Sequence, residues 1–388
     1  MNIKIVLSIL FLSLLCSCYG GKDDKLSKDH ASFEIEIVDT LTIDYQGILQ
    51  IIDFDAENKI YLAIDKSKKG EVILTVDENG QILQKFVNAD AGDHSFKGSL
   101  SGLGFDRKGG FWLLSHHGFY RYSSDWEIGL FKPNTNESPK LLNVHYDLAN
   151  FGAPDSLLFL TVYNAPEHGN KLNEAAYYRD ILNFTVIDFK KGSFSNQIGF
   201  EKESQYLNSK GLFPPYLTIY SYNHDGDELT VSYSNEPRLF VYKPTDKDFR
   251  YIRNISLDLD YFRFNKEDYL GNNPDMLQAT LDSRIERILT YGKFTFVSYT
   301  KGLDRNEIIS QGIEADDRQN FQKYVLDNFR QCLHVLKDGE KIGADIILPD
   351  YFSYPVLAYS ESELLMGIPR FRYEFENEVF IRIKIKSS

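Results

Sequence analysis

Leu49-Gln-Ile-Ile-Asp-Phe54, Asp55-Ala-Glu-Asn58, Lys59-Ile-Tyr-Leu-Ala-Ile64, and then Glu71-Val-Ile-Leu-Thr-Val76, Asp77-Glu-Asn-Gly80, Gln81-Ile-Leu-Gln-Lys-Phe86 decide the fold. Four short runs rich in β-branched and aromatic residues alternate with segments carrying Asp, Asn and Gly. The apolar runs suit a pleated, packed surface. The punctuating residues reverse the chain by bonding back to their own backbone or by accepting a left-handed conformation. Four strands joined as a meander make one blade of a β-propeller.

The unit recurs. Gly102-Leu-Gly-Phe-Asp106, Phe111-Trp-Leu-Leu114 and Gly118-Phe-Tyr-Arg-Tyr122 form a second. A third starts at Ser156-Leu-Leu-Phe-Leu-Thr-Val162, and a fourth at Thr218-Ile-Tyr-Ser-Tyr222. The fifth opens with Ile285-Glu-Arg-Ile-Leu289 and the sixth with Pro355-Val-Leu-Ala-Tyr359. First strands start near 50, 102, 156, 219, 285 and 356, a spacing that fits long-looped propeller blades. The last unit offers three strands before the chain ends. Phe33-Glu-Ile-Glu-Ile-Val38 has no blade of its own, so it is expected to complete the last sheet and hide two edges at once. The expected fold is an all-β, six-bladed β-propeller closed by an N-terminal strand. A seventh blade follows if residues 42–51 or 258–280 hold further strands.

In such a blade the turns between first and second strands share one face with those between third and fourth. Here those first turns are short, as at residues 56–58, 107–109 and 291–293. The second-to-third connections are longer and uneven, so the binding face is expected there. The longest, residues 299–330, carries a helix candidate over 317–329 in the fifth blade. Asp317 can cap it, and Phe321, Tyr324 and Val325 form its apolar stripe.

The N-terminus reads as a leader. Lys4 is followed by an apolar run from Ile5 to Leu15, too short to span a bilayer in a mature protein. Leu15-Cys16-Ser17-Cys18 resembles the bacterial lipobox, which makes Cys18 the lipidated residue and residues 1–17 the signal peptide. Lys22, Asp23 and Asp24 resemble the export signal that carries some lipoproteins to the cell surface. Residues 18–32 then form a flexible tether and 33–388 a single propeller domain. The tight Asp-x-x-Gly-type turns and the strand spacing resemble NHL and TolB-like six-bladed propellers. Together with the leader, they make the chain similar to propeller lipoproteins of Gram-negative bacteria, a family of unknown function. That resemblance implies an outer-membrane, lipid-anchored protein, with display on the cell surface as one option.

The 388 residues hold 43 Lys and Arg against 56 Asp and Glu, a formal charge of −13. This acidity argues against nucleic acid as a partner. Cys332 is the third of three cysteines and sits in an apolar context, Cys332-Leu-His-Val-Leu336, which reads as a buried inert thiol.

Candidate ligand-binding residues are His116, His117 and Trp112 in the second unit and His168 in the third. Arg305 in the fifth and Arg370 and Arg372 in the sixth complete the set. All are expected around one channel mouth, where cations and aromatic faces suit an anionic or sugar ligand. Adjacent histidines on a strand point to opposite faces, so they do not make a metal site. Asn223-His-Asp-Gly-Asp-Glu228 lacks the oxygen series of a calcium loop and reads as a hairpin turn. Most of the 25 Tyr and 28 Phe are assigned to packing between blades. No nucleophile elbow, zinc-protease motif or dinucleotide loop occurs, and no cofactor is called for. The favoured function is a non-catalytic binding domain for a glycan, a peptide or a partner protein. The alternatives are a propeller enzyme, such as a calcium-dependent lactonase or a polysaccharide lyase, and a structural subunit of an outer-membrane complex.

Overall fold

The computed structural model describes residues 32–68, 72–106, 109–133, 148–151, 157–161, 175–188, 193–208, 217–245, 248–264, 280–313, 317–369, 373 and 375–387. The fold is an all-β propeller. Its described strands fall into six antiparallel sheets. Five are built from strands consecutive in sequence, and one is composite.

The first sheet takes β2 (Leu49–Asp55), β3 (Ile60–Asp65), β4 (Val72–Asp77) and β5 (Ile82–Val87), as the opening stretch of sequence implies. The second takes β6 (Leu100–Phe105), β7 (Phe111–Ser115), β8 (Gly118–Tyr122) and β9 (Ile128–Pro133). The third contains β10 (Ala149–Phe151), β11 (Leu157–Thr161), β12 (Phe184–Asp188) and β13 (Ser193–Gln197). The run at 156–162 is therefore the second strand of its blade, not the first. Three residues of β10 precede it, too few to announce a strand. The fourth sheet comprises β14 (Thr218–Asn223), β15 (Glu228–Tyr233), β16 (Glu236–Pro244) and β17 (Phe249–Ser256). The fifth holds β18 (Ile285–Tyr291), β19 (Phe294–Thr300), β20 (Gln331–Lys337), β21 (Glu340–Lys341) and β22 (Ile346–Ile347), which also pairs with β20.

The composite sheet joins β1 (Phe33–Ile43) to β25 (Glu378–Ser387), β24 (Glu363–Met366) and β23 (Pro355–Ala358), in that order. The blade count, expected as six or seven, thus resolves into five sequence-contiguous blades and one closing sheet. The closing strand is longer than the six residues expected. Its outer half is mostly exposed, while Leu41 and Ile43 are buried with Ile51, Tyr61 and Phe380, between the closing sheet and the first blade. Gly80 explains how close that approach is. At φ 85° it faces the Thr42 carbonyl, and a Cβ there would lie 2.0 Å from that oxygen.

Burial follows strand position. The middle strands β3 and β4 are buried almost throughout, because neighbouring blades cover both faces. The outermost β9 alternates between half-buried and exposed, the period of two expected of a strand with one wet face. Aromatic side chains fill the gaps between blades. Tyr178, Phe184, Phe200, Tyr206, Tyr220, Tyr233, Phe240 and Tyr242 form one cluster between the third and fourth blades. Phe200 lies 4.4 Å from Tyr233, centroid to centroid.

The insertion between β19 and β20 carries two helices. The first described helices, α1 (Ala175–Asp180) and α2 (Gln205–Asn208), are short pieces in the third blade and after it; α3 (Arg305–Ser310) and α4 (Arg318–Asn328) belong to the fifth blade. Asp317 caps α4 by accepting from the Asn320 amide at 3.2 Å. Phe321 packs with Ile308 and Leu281, with Tyr324 and Val325 beside it, which is the stripe read from the sequence. The segment 223–228 is a hairpin turn between β14 and β15, as expected.

Candidate functional site

The candidate site is built from first strands. Antiparallel pairing on β2, β6, β18 and β23 slips by one residue at Ile52, Ser101, Glu286 and Val356, where each pair register shifts. Such a bulge opposes two residues to one and re-aims the side chains that follow. Four of the innermost strands therefore carry a bulge near the same end.

Beyond these bulges the inner strands enclose a cavity of about 540 Å³. It opens among the short turns after β2, β6, β14 and β18, and its wall includes Phe54, Phe105, Tyr220, Tyr222, Tyr291 and Tyr359. His224, Ser221, Thr290 and Arg287 supply polar groups. A second cavity, about 200 Å³, opens at the opposite face among Ile48, Tyr354, Phe375 and Glu378. Arg287 lines both, which places it between the two mouths; only 7% of its surface is exposed.

Bonds from side chain to backbone lock this wall. Asp53 Oδ1 accepts from the Phe54 amide and Oδ2 from the Phe105 amide, each at 2.8 Å, fastening β2 to β6. The Ser221 and Thr290 hydroxyls lie 2.8 Å apart, and Ser221 Oγ also accepts from the Thr290 amide at 3.0 Å, fastening β14 to β18. Asn223 Nδ2 donates to the Gly292 carbonyl at 2.7 Å across the same junction. Asp106 accepts from the Gly110 amide at 2.7 Å and from Arg121 Nε at 2.7 Å. Asp55 accepts from the amides of Glu57 and Asn58 in its own turn. Asp53, Asp55 and Asp106 thus hold the scaffold, while Glu57 also lines the cavity.

The aromatic wall is equally fixed. Phe54 lies 4.8 Å from Tyr61 and 5.2 Å, edge-on, from Tyr359. The hydroxyls of Tyr61 and Tyr359 share a hydrogen bond, and the Arg382 guanidinium lies 4.7 Å from the Tyr359 ring centre. Burial, reinforced by the Tyr61 bond, pushes the Tyr359 hydroxyl well above the usual phenol range, so it stays protonated.

Glu286, one residue before Arg287, lines a third cavity of about 190 Å³ with Arg330, Gln331 and Asp350. Burial pushes its carboxyl up, and the Arg284 charge opposes this only in part. Among the described residues, no three His, Cys, Asp or Glu side chains converge as a metal site.

The residues expected to surround one mouth lie on separate elements. Trp112 is 3% exposed in β7, packed with Leu114, Phe119, Leu148 and Ile187, and its ring lies 5.3 Å from the Arg121 guanidinium. It is a wedge between blades and not a rim residue. His116 and His117 are the exposed two-residue turn between β7 and β8, seated over Gly98. Arg305 is exposed at the first position of α3, in another blade. His168, Arg370, Arg372, Cys18, Lys22, Asp23 and Asp24 lie outside the described residues. The expectation that second-to-third connections are long also fails in two blades, since residues 116–117 and 234–235 are tight turns. The larger cavity is on the opposite face from the one expected.

Sequence reading missed Arg287 and the aromatic wall. One signal was available: Ile285-Glu-Arg-Ile-Leu289 places two charges inside a first strand that is otherwise apolar. Cys332 is fully buried, and burial with the nearby Asp345 carboxylate pushes its thiol up to about 12, as fits an inert residue.

No known protein-family profile matches the sequence, and no curated protein matches it. Among solved structures, a DUF4221-family protein from Bacteroides vulgatus superposes with a TM-score of 0.66 at 16% identity, covering 93% of this chain and 100% of its own. A Bacteroides fragilis protein described as exported gives a TM-score of 0.51 at 10% identity, covering 93% of this chain and 98% of its own. A gluconolactonase from Xanthomonas campestris gives 0.43 at 12% identity, covering 89% of each chain. At these identities the likeness is one of fold.

Proposed function

We propose that this propeller is a binding protein for a carbohydrate, taken up in the 540 Å³ cavity on its axis, and that Cys18 anchors it by lipid to the outer membrane. The observation that carries the reading is the composition of the cavity wall. Six aromatic rings stand beside hydroxyl, imidazole and guanidinium groups. Sugars present apolar C–H faces and polar rims, so stacking rings with interspersed donors and acceptors match them. The volume falls in the range of small-molecule sites. Three of the wall's carboxylates favour binding over turnover, because Asp53, Asp55 and Asp106 already accept backbone amides or Arg121. The short-turn face, and not the long-loop face, is where the ligand enters.

Calorimetric titration of the chain with neutral mono- and oligosaccharides tests this. Tyr291, 39% exposed at the rim, is the safest variant for folding. Tyr291→Ala is expected to weaken binding roughly 3- to 10-fold, the loss of one aromatic contact. Unaltered affinity in that variant removes the axial cavity as the site. Turnover of any sugar by the purified chain, abolished by a substitution in the wall, replaces binding with catalysis.

A further inference from the structure

We propose that the third cavity, at the long-loop end of the fifth blade, binds a small zwitterion of the α-amino-acid class, with Glu286 taking its ammonium and Arg330 its carboxylate.

Pairing register brings these groups together. Glu286 is the bulged residue of β18: Ile285 pairs with Tyr299 and Arg287 with Ser298, which leaves Glu286 outside the ladder. Across β19, Gln331 opens β20 opposite Thr300. Both therefore sit at one end of the fifth sheet, where Arg330 precedes β20 and Phe352, Ser353 and Tyr354 come after β22. Ser353 and Tyr354 also line the second cavity, so this site lies on the face opposite the axial mouth.

The polar groups here do not satisfy one another. Among the described residues Glu286 accepts no hydrogen bond, and the Arg284 charge is what acts on it. Gln331 is 6% exposed, and its Oε1 has no partner. Arg330 donates through Nη1 to the Asp327 and Phe329 carbonyls at 3.0 and 2.7 Å, which fixes the plane of its fork. Among the described residues its Nε and Nη2 make no hydrogen bond, and it pairs with no carboxylate. Asp350, exposed at the mouth, has a partner of its own. An acid and a guanidinium thus line one cavity without pairing with each other. Unsatisfied buried groups of this kind call for a bound molecule to complete them.

A molecule that answers both must carry opposite charges a few ångströms apart. An ammonium has three donors, enough for the Glu286 and Gln331 oxygens together, and a carboxylate matches the second edge of the Arg330 fork. At about 30 Å³ per water, the cavity of about 190 Å³ holds roughly six waters, the bulk of one small molecule and not of a chain segment. Phe352, Tyr354 and Pro369 offer apolar surface to its side chain. Burial raises the Glu286 carboxyl, and a cation beside it reverses that, so the site gains most from a ligand that brings its own positive charge.

The test titrates L-alanine, L-serine and L-leucine into the chain by calorimetry, beside two singly charged analogues of each: the N-acetyl form, an anion, and the amide, a cation. The zwitterions are expected to bind about tenfold tighter, or more, than either analogue. Glu286→Gln should weaken them roughly 10- to 100-fold and erase the preference over the N-acetyl forms. Arg330→Gln should weaken them by a similar factor and erase the preference over the amides. A melting curve that matches the parent's shows each variant folded. Should Glu286→Gln lose its cooperative melt, Arg330→Gln, which alters a half-buried side chain, decides instead. Absence of binding by the unaltered chain up to millimolar concentration overturns the proposal, as does undiminished binding by both variants. Amides that bind as well as the amino acids overturn the zwitterion. None of these results bears on sugar binding in the axial cavity, which shares no wall residue with this one.

Discussion

Asp345 shows what single residues do away from the axis. Its Oδ1 lies 2.6 Å from His334 Nδ1 and 3.3 Å from Lys341 Nζ; Oδ2 accepts from the Tyr299 hydroxyl at 2.5 Å and the Asp260 amide at 2.8 Å. Asp260 in turn accepts from the Asp345 amide and pairs with Lys341. The cluster ties the segment after β17 to β20 and β21, and so fastens the fourth blade to the fifth. Burial alone would raise the Asp345 carboxyl. The His334 bond and charge, the Tyr299 hydroxyl and the Asp260 amide outweigh it and hold the carboxyl below its usual range. A carboxylate whose folded pKa is depressed stabilises the protein above its unfolded pKa, about 3.9, and that contribution is lost as pH falls through the folded value. Asp345→Asn is expected to lower unfolding stability at neutral pH by about 3–5 kcal/mol, the cost of breaking a buried charged pair. The gap between variant and parent, followed by denaturant titration, should shrink below about pH 4. A gap that holds constant down to pH 2 means the carboxylate charge is not what stabilises.

At the scale of elements, the strands most legible in the sequence were those with turns that name themselves. Asp77 accepts from the amides of Asn79 and Gln81 at 2.9 and 2.8 Å, so the turn chemistry that marks β4 and β5 in the sequence is the chemistry that makes the hairpin. Strands β9 and β10 were not legible. One contains Gly129 and ends at Pro133, and the other is three residues long, so neither carries enough pattern to outweigh its neighbours. The bulges were invisible for another reason: a slip of one residue is a relation between two strands and leaves no mark on either alone. The closing strand was legible as a strand, but its grip was not. The expected segment 33–38 is its exposed half, and Leu41 and Ile43 make the buried contact. Removing residues 32–43 should strip the partner from β25 and uncover Ile51, Tyr61 and Phe380. The truncated chain is expected to lose cooperative thermal unfolding and to aggregate through its freed edge. A sharp melt within a few degrees of the parent refutes ring closure by β1 as the stabilising device.

At the scale of the whole molecule, the lipid proposed at Cys18 would join the ring through β1. Cys18 precedes the first described residue of that strand region by 14 positions, and a chain of that length spans at most about 50 Å. Under the proposed anchoring, a disc on so short a tether would stay near the surface that holds it. In bacterial expression, palmitate labelling of the full chain is expected to disappear in Cys18→Ala, with the protein released to the soluble fraction; labelling that persists assigns the lipid elsewhere. The sequence by itself determined the propeller, the closing strand, the capped helix and the inert thiol, because turn chemistry, strand period and apolar context are local properties. Tertiary structure alone decided which residues line the candidate site. Trp112, plausible at a rim, became a wedge between blades, while Arg287, unremarked inside a strand, became the cation on the axis. Which side chains meet there depends on how several blades from distant parts of the chain are stacked and on one-residue slips in their pairing, and no stretch of sequence contains either.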